Sequence, residues 1–184
     1  LRLTVEDDAP VAASVVQRIA EATQQTNVLL VLDLSGSMTD DSGVFSDALG
    51  RNLTRIELER QAIERLLDQY DARGDVRVRI VSFSTFAAEQ GDGWTDVATA
   101  RAQLALLAPG GFTNYDAPVD TAIAAFADDG KLALGQNVAY VLSDGNPNTP
   151  DGLDYDPANP DIGIQAGEEA VWRTFLDAHG VNAF

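Results

Sequence analysis

The chain has 184 residues and a formal net charge of −17 at neutral pH, from 29 acidic and 12 basic side chains. That balance argues against nucleic acid as a partner, because a polyanion needs Lys and Arg to displace its counterions, and equally against docking on an anionic membrane face. Cysteine is absent, which excludes thiol redox chemistry, zinc–thiolate sites and disulfides, and no apolar run approaches the roughly 18 residues of a membrane span.

A chain of this length buries roughly 70% of its unfolded surface, enough for one full core. Residues 1–26 read as a linker or the end of a preceding domain. Thr4 to Pro10 is acidic and extended, with Pro10 biasing Ala9 away from helix, and Ala12 to Thr23 reads as a short helix with Val15, Val16 and Ile19 on one face. Residue 1 is Leu and Phe184 stops in the opening of a strand, so the sequence reads as a segment of a larger chain with flanking domains.

From residue 27 the pattern alternates. Asn27 to Leu34 (NVLLVLDL) is a continuous branched apolar run, expected of a strand buried on both faces. The polar stretch Ser35 to Asn52 follows. Thr54 to Tyr70 predicts a helix with Ile56, Ile63, Leu66 and Leu67 on one side. Val76 to Phe83 predicts a strand whose first half alternates apolar and basic residues, placing it nearer an edge. Helices are predicted at Val97 to Leu107, Asp116 to Phe126 and Ile164 to Ala178, with strands at Asn137 to Leu142 and from Val181. Strands spaced by amphipathic helices predict an α/β fold: an open, mostly parallel, doubly wound sheet flanked by helices. Right-handed crossovers then gather the loops after the strands along one edge, where ligands bind in such sheets.

Three pieces of sequence meet at that edge. Asp33-Leu34-Ser35-Gly36-Ser37 directly follows the apolar strand, and its alternation sends Asp33, Ser35 and Ser37 to one side. Gly110-Gly111-Phe112-Thr113-Asn114 presents a further hydroxyl at Thr113, and Asp144 stands at the tip of the strand Asn137 to Leu142. Carboxylates and hydroxyls are hard oxygen donors, suited to Mg²⁺ or Ca²⁺ and not to zinc or copper. Taken singly, each piece has a plainer reading. Asp33 and Ser35 can cap a turn, Thr113 can cap the following helix, and Asp144-Gly145 can form a turn. The specificity lies in their combination and order.

That combination resembles the von Willebrand factor type A domain with its metal-ion-dependent adhesion site, over about residues 27–184. The resemblance implies that Asp33, Ser35, Ser37, Thr113 and Asp144 hold one divalent cation. Ser35, Ser37 and, in one state, Thr113 would ligate it directly, while Asp33 and Asp144 would act mostly through bound water. It also implies a protein-interaction module whose ion captures a carboxylate of a partner, without a nucleophile or general base. The family's last strand and closing helix are missing, Val181 to Phe184 being only their beginning. Thr4 to Val11 is similar to junctions between repeat domains of giant bacterial adhesins of the RTX type, which implies an extracellular, cell-surface setting. The alternative is an intracellular module of a chelatase or ATPase assembly. An enzymatic reading of the haloacid dehalogenase type is disfavoured, because Ser35 stands where its second Asp should be.

Other residues carry plainer expectations. Asp151, Asp154, Asp156 and Asp161 read as a solvated acidic loop, as do Asp40, Asp41 and Asp47. His179 reads as a helix-end residue and Trp94 and Trp172 as packing residues, with Trp94 exposed as the alternative; Tyr115 rims the site or packs.

Overall fold

The computed structural model describes residues 23–145, 147–148 and 163–184. The expected acidic link, the helix from Ala12 and the four aspartates of the long loop lie outside them. A five-stranded sheet forms the centre, built from β1 (Thr26–Asp33), β4 (Val76–Phe83), β5 (Ala87–Thr95), β6 (Gln136–Leu142) and β7 (Val181–Ala183) in the order β5-β4-β1-β6-β7. β1 pairs in parallel with β4 and β6, β7 is parallel to β6, and β5 runs antiparallel to β4. The mostly parallel, doubly wound expectation holds.

The apolar run of β1 is explained by its central position. Its alternating side chains feed two cores, and every residue of the strand is buried. Val28, Leu30 and Leu32 pack with Ile63 and Leu67 of α1 (Arg55–Asp71) and with Ala100 and Leu104 of α2 (Val97–Leu106). Leu29 and Val31 face the opposite way, onto Ala122, Ala125 and Phe126 of α3 (Ala117–Phe126) and Phe175 of α4 (Ala166–His179). Burying each such side chain contributes about 1.5–3 kcal/mol. α1 starts at a capping box, in which Thr54 N–H donates to the Glu57 carboxylate at 2.8 Å while the Thr54 hydroxyl accepts from Glu57 N–H at 3.4 Å.

The structure differs from the sequence expectations in two segments. The polar stretch after Ser37 contains a hairpin, β2 (Asp41–Ser46) with β3 (Arg51–Thr54), which exposes Val44 and Phe45. β5 is an extra edge strand, so β4 lies one strand in from the edge. Of the two basic residues in its alternation, Arg77 is half-buried and Arg79 is fully buried. Arg79 is 1% exposed; its guanidinium pairs with Glu89 and Asp128 and donates to the carbonyl of Gln90 at 2.7 Å. An unpaired guanidinium could not stay buried there; the two carboxylates and the carbonyl of the edge strand satisfy it.

Trp94 is buried at the end of β5, with its ring edge-on to Phe126. His179 occupies the last turn of α4, its ring against Phe126 and Phe175, consistent with a helix-end residue. Among the described residues no helix is long and apolar enough to cross a membrane.

Candidate metal centre

β1 delivers Asp33 to the carboxyl edge of the sheet with 0% exposure, and the chain then turns through Ser35 into a short 3-10 helix, Gly36–Thr39. One Asp33 carboxylate oxygen accepts from Ser35 N–H at 2.7 Å, and the other accepts from the Ser143 hydroxyl at 2.5 Å. The hydroxyls of Ser35 and Ser37 are 3.1 Å apart, and Ser37 donates to Asp144 at 2.9 Å. Asp33, Ser35, Ser37 and Asp144 thus form one hydrogen-bonded cluster drawn from the carboxyl end of β1 and the segments that follow β1 and β6. The second carboxylate oxygen of Asp144 pairs with Arg55, at the start of α1.

Thr113 reaches the same edge by backbone. Gly36 N–H donates to the carbonyl of Gly111 at 3.0 Å, and Gly110 N–H donates to that of Leu34 at 2.6 Å. These two bonds fasten the Gly-rich loop to the Asp33–Ser37 segment. Thr113 is 2% exposed, and its backbone exchanges bonds with Asn148: Thr113 N–H donates to the Asn148 side chain and Asn148 N–H to the Thr113 carbonyl, each at 2.9 Å. Among the described residues no hydrogen bond joins the Thr113 side chain to the other four. The helix-cap reading of Thr113 is not what forms: the side-chain oxygen of Asn114 accepts from Asp116 and Ala117 N–H at 3.0 and 3.3 Å.

Gly111 is the hinge of this arrangement. Its φ of +86° lies in the left-handed region, and a Cβ there would sit 2.8 Å from the Thr85 hydroxyl. Gly111→Ala is expected to destabilise the fold by about 1–3 kcal/mol, read from urea denaturation. An unchanged midpoint would mean that the loop is not tightly seated.

Three residues near the cluster were not singled out by sequence reasoning. Ser143 holds Asp33, Arg55 holds Asp144, and Glu59 lies buried one turn after Arg55 on α1. Ser143 was visible only as the neighbour of Asp144, and the two α1 residues look like any surface charges of an amphipathic helix. Among the described residues neither carboxyl oxygen of Glu59 has a hydrogen-bond partner. Burial, reinforced by the charge of Asp33, pushes its carboxyl up to about 8; Arg60 opposes this and Asp144 adds to it. Tyr115 does both things expected of it: its hydroxyl is 2.7 Å from that of Ser143 and bonded to the Gly145 carbonyl, while its ring packs edge-on against Phe83.

The donor set fits a hard divalent cation. It offers hydroxyl and carboxylate oxygens only, with a lower charge than an all-carboxylate cage. Among the described residues no group of three or more carboxylates and imidazoles gathers anywhere.

A family model described as the von Willebrand factor type A domain matches residues 28–146. No curated protein matches the chain. Among solved structures, the chain is similar to the PilB minor pilin of Streptococcus sanguinis, at 19% identity and a TM-score of 0.61, over 90% of this chain and 51% of that one. A von Willebrand factor type A structure from Catenulispora acidiphila matches at 16% identity and a TM-score of 0.56, over 87% of this chain and 32% of that one. The von Willebrand factor domain of the type V pili tip protein Mfa5 from Porphyromonas gingivalis matches at 20% identity and a TM-score of 0.50, over 70% and 41%. The chain spans about half or less of the length of each of these neighbours.

Proposed function

We propose that this chain, which belongs to the von Willebrand factor type A domain family, is a divalent-cation-dependent adhesion or protein-interaction module. The observation that carries this reading is the cluster of Asp33, Ser35, Ser37 and Asp144, joined by hydrogen bonds at one corner of the sheet with Thr113 fastened beside it. Ser35, Ser37 and Thr113 would hold the cation through their hydroxyls. Asp33 and Asp144 would orient its water, and Ser143 and Arg55 would in turn fix those two carboxylates. When bound, Mg²⁺ or Ca²⁺ supplies a Lewis-acid position that a partner's carboxylate can fill. Neither a nucleophile nor a general base takes part, so we read the module as non-enzymatic.

We assign the setting to a bacterial cell surface. The fold shared with a minor pilin and a pilus-tip domain supports this placement. The narrower assignment to an RTX-type adhesin rests on Thr4 to Val11 alone; RTX nonapeptides downstream in the full-length chain would support it.

Calorimetric titration of the EDTA-stripped chain tests the reading. One saturable site for Mg²⁺ or Ca²⁺ is expected, with no comparable response to Zn²⁺. Absence of saturable binding by either ion would overturn it.

A further inference from the structure

Among the described residues no hydrogen bond or ion pair accounts for Glu59. It stands one turn after Arg55 on α1, only 9% exposed, and neither oxygen of its carboxyl is reached by a partner. A buried carboxyl left in that state costs stability, and such a group in a native fold calls for a reason. The two arginines beside it on the helix are engaged elsewhere. Arg55 pairs with Asp144 and, at 3.9 Å, with Asp40, while Arg60 donates to the Leu107 carbonyl.

Its place ties it to the cation centre. Together with Met38, Arg55, Leu142, Ser143 and Asp144, Glu59 lines a hollow of about 230 Å³ between α1 and the carboxyl end of β6. It does not join the donor set, since among the described residues no three carboxylates come within ligating reach of one point. Its influence there is that of a charge.

Counting charges gives that influence a purpose. Asp33 and Asp144 bring two negative charges to the cluster, and Arg55 offsets one of them. A divalent ion seated there would leave one positive charge in excess, in a corner where Asp33, Ser35 and Thr113 are at most 2% exposed. Water screens such a charge poorly. A carboxylate at Glu59 cancels it, and the ion in turn removes the repulsion that Asp33 and Asp144 impose on that carboxyl in an empty centre.

We infer that Glu59 is the charge-balancing carboxyl of the cation centre, a positioning residue that sets its affinity for a doubly charged ion from outside the ligand shell. The inference rests on the cation-dependent reading above and adds a residue that the ligand set does not contain. A buried acid kept at a cost to the empty fold is then stability exchanged for binding.

Calorimetric titration of Mg²⁺ and Ca²⁺ into the EDTA-stripped chain tests it, with wild type, Glu59→Gln, Glu59→Leu and the control Glu64→Gln on the exposed side of the same helix compared at one neutral pH. Glu59→Gln keeps the shape and removes the charge. It is expected to bind both ions about tenfold or more weakly, while its melting temperature in EDTA does not fall. Glu59→Leu is expected to behave alike, and Glu64→Gln to bind as wild type does. A residue needed for packing alone would move the melting temperature and leave the ion affinity of the glutamine variant unchanged. Equal ion affinity in a folded Glu59→Gln chain would overturn the inference while leaving the cation reading intact. A fall in melting temperature in EDTA that accompanies the loss of affinity in both Glu59 variants would assign the residue to the fold and overturn it as well. No saturable binding by wild type would overturn both readings.

Discussion

Asp33→Ala is expected to abolish measurable binding of Mg²⁺ and Ca²⁺, and Asp33→Asn to weaken it about 10–100-fold. Asp33 is the anchor of the cluster: one of its oxygens orders Ser35 through the backbone, and the other orders Ser143, next to Asp144. Removing the carboxylate withdraws one of the cluster's two negative charges and frees both neighbours to reorient. The alanine variant also leaves the buried N–H of Ser35 without its acceptor, at about 1–3 kcal/mol. Asn keeps the acceptor for Ser35 and the side-chain volume, so it separates loss of charge from loss of structure. Calorimetry with each ion, alongside thermal melting of both variants, checks the expectation. Unchanged affinity in a folded Asp33→Asn chain would remove this residue from the centre.

The second large effect is on stability against pH, through Glu59. In the folded chain its carboxyl holds its proton up to about 8, because it is buried and faces the charge of Asp33; an unperturbed Glu loses it near 4.5. Between those values the folded state binds more protons than the unfolded one, so stability falls as pH rises, by at most about 1.4 kcal/mol per pH unit for one group. The slope ends above pH 8, once the carboxyl is ionised in both states. Glu59→Gln keeps the shape and cannot ionise. It is therefore expected to match wild type near pH 4 and to exceed it at pH 8 by on the order of a few kcal/mol. Urea denaturation of both chains across that range, in EDTA so that no cation offsets Asp33 and Asp144, checks this. Parallel pH profiles would show that Glu59 ionises normally in the fold.

The parts of the fold legible in the sequence are those where burial is two-sided or strictly periodic. β1 announces itself because each of its residues is covered on both faces, and α1 because Ile56, Ile63 and Leu67 repeat along one side. β5 was silent. Its sequence, AAEQGDGWT, has two glycines and little apolar alternation, because an edge strand paired on one side only needs little of either core. The hairpin between Asp41 and Thr54 hides for a similar reason: it buries little beyond Leu53, so no hydrophobic pattern marks it. The burial of Arg79 is not legible in its own segment, since it depends on Glu89 of β5 and on Asp128, both distant along the chain.

In the centre itself, residues near one another along the chain were legible as a motif, and their long-range partners were not. Asp33, Ser35 and Ser37 share one strand-to-turn geometry that spacing alone implies. Ser143, Arg55 and Glu59 arrive from β6 and α1, and nothing in their local sequence says which way they face.

The position of β1 has a mechanical consequence. The candidate binding corner lies at its carboxyl end, while the chain enters the domain at its amino end, where Gln24 and Thr26 bond to Arg73 and Asp75. Tension between a held partner and that entry point runs along the strand's own axis. β1 is laced on both sides, in register with β4 from Thr26 to Asp33 and with β6 from Thr26 to Leu32. Pulling lengthwise loads those two ladders in shear, many rungs together, whereas peeling would strain them one at a time. Along that axis the fold yields only when the middle of the sheet slides as a unit.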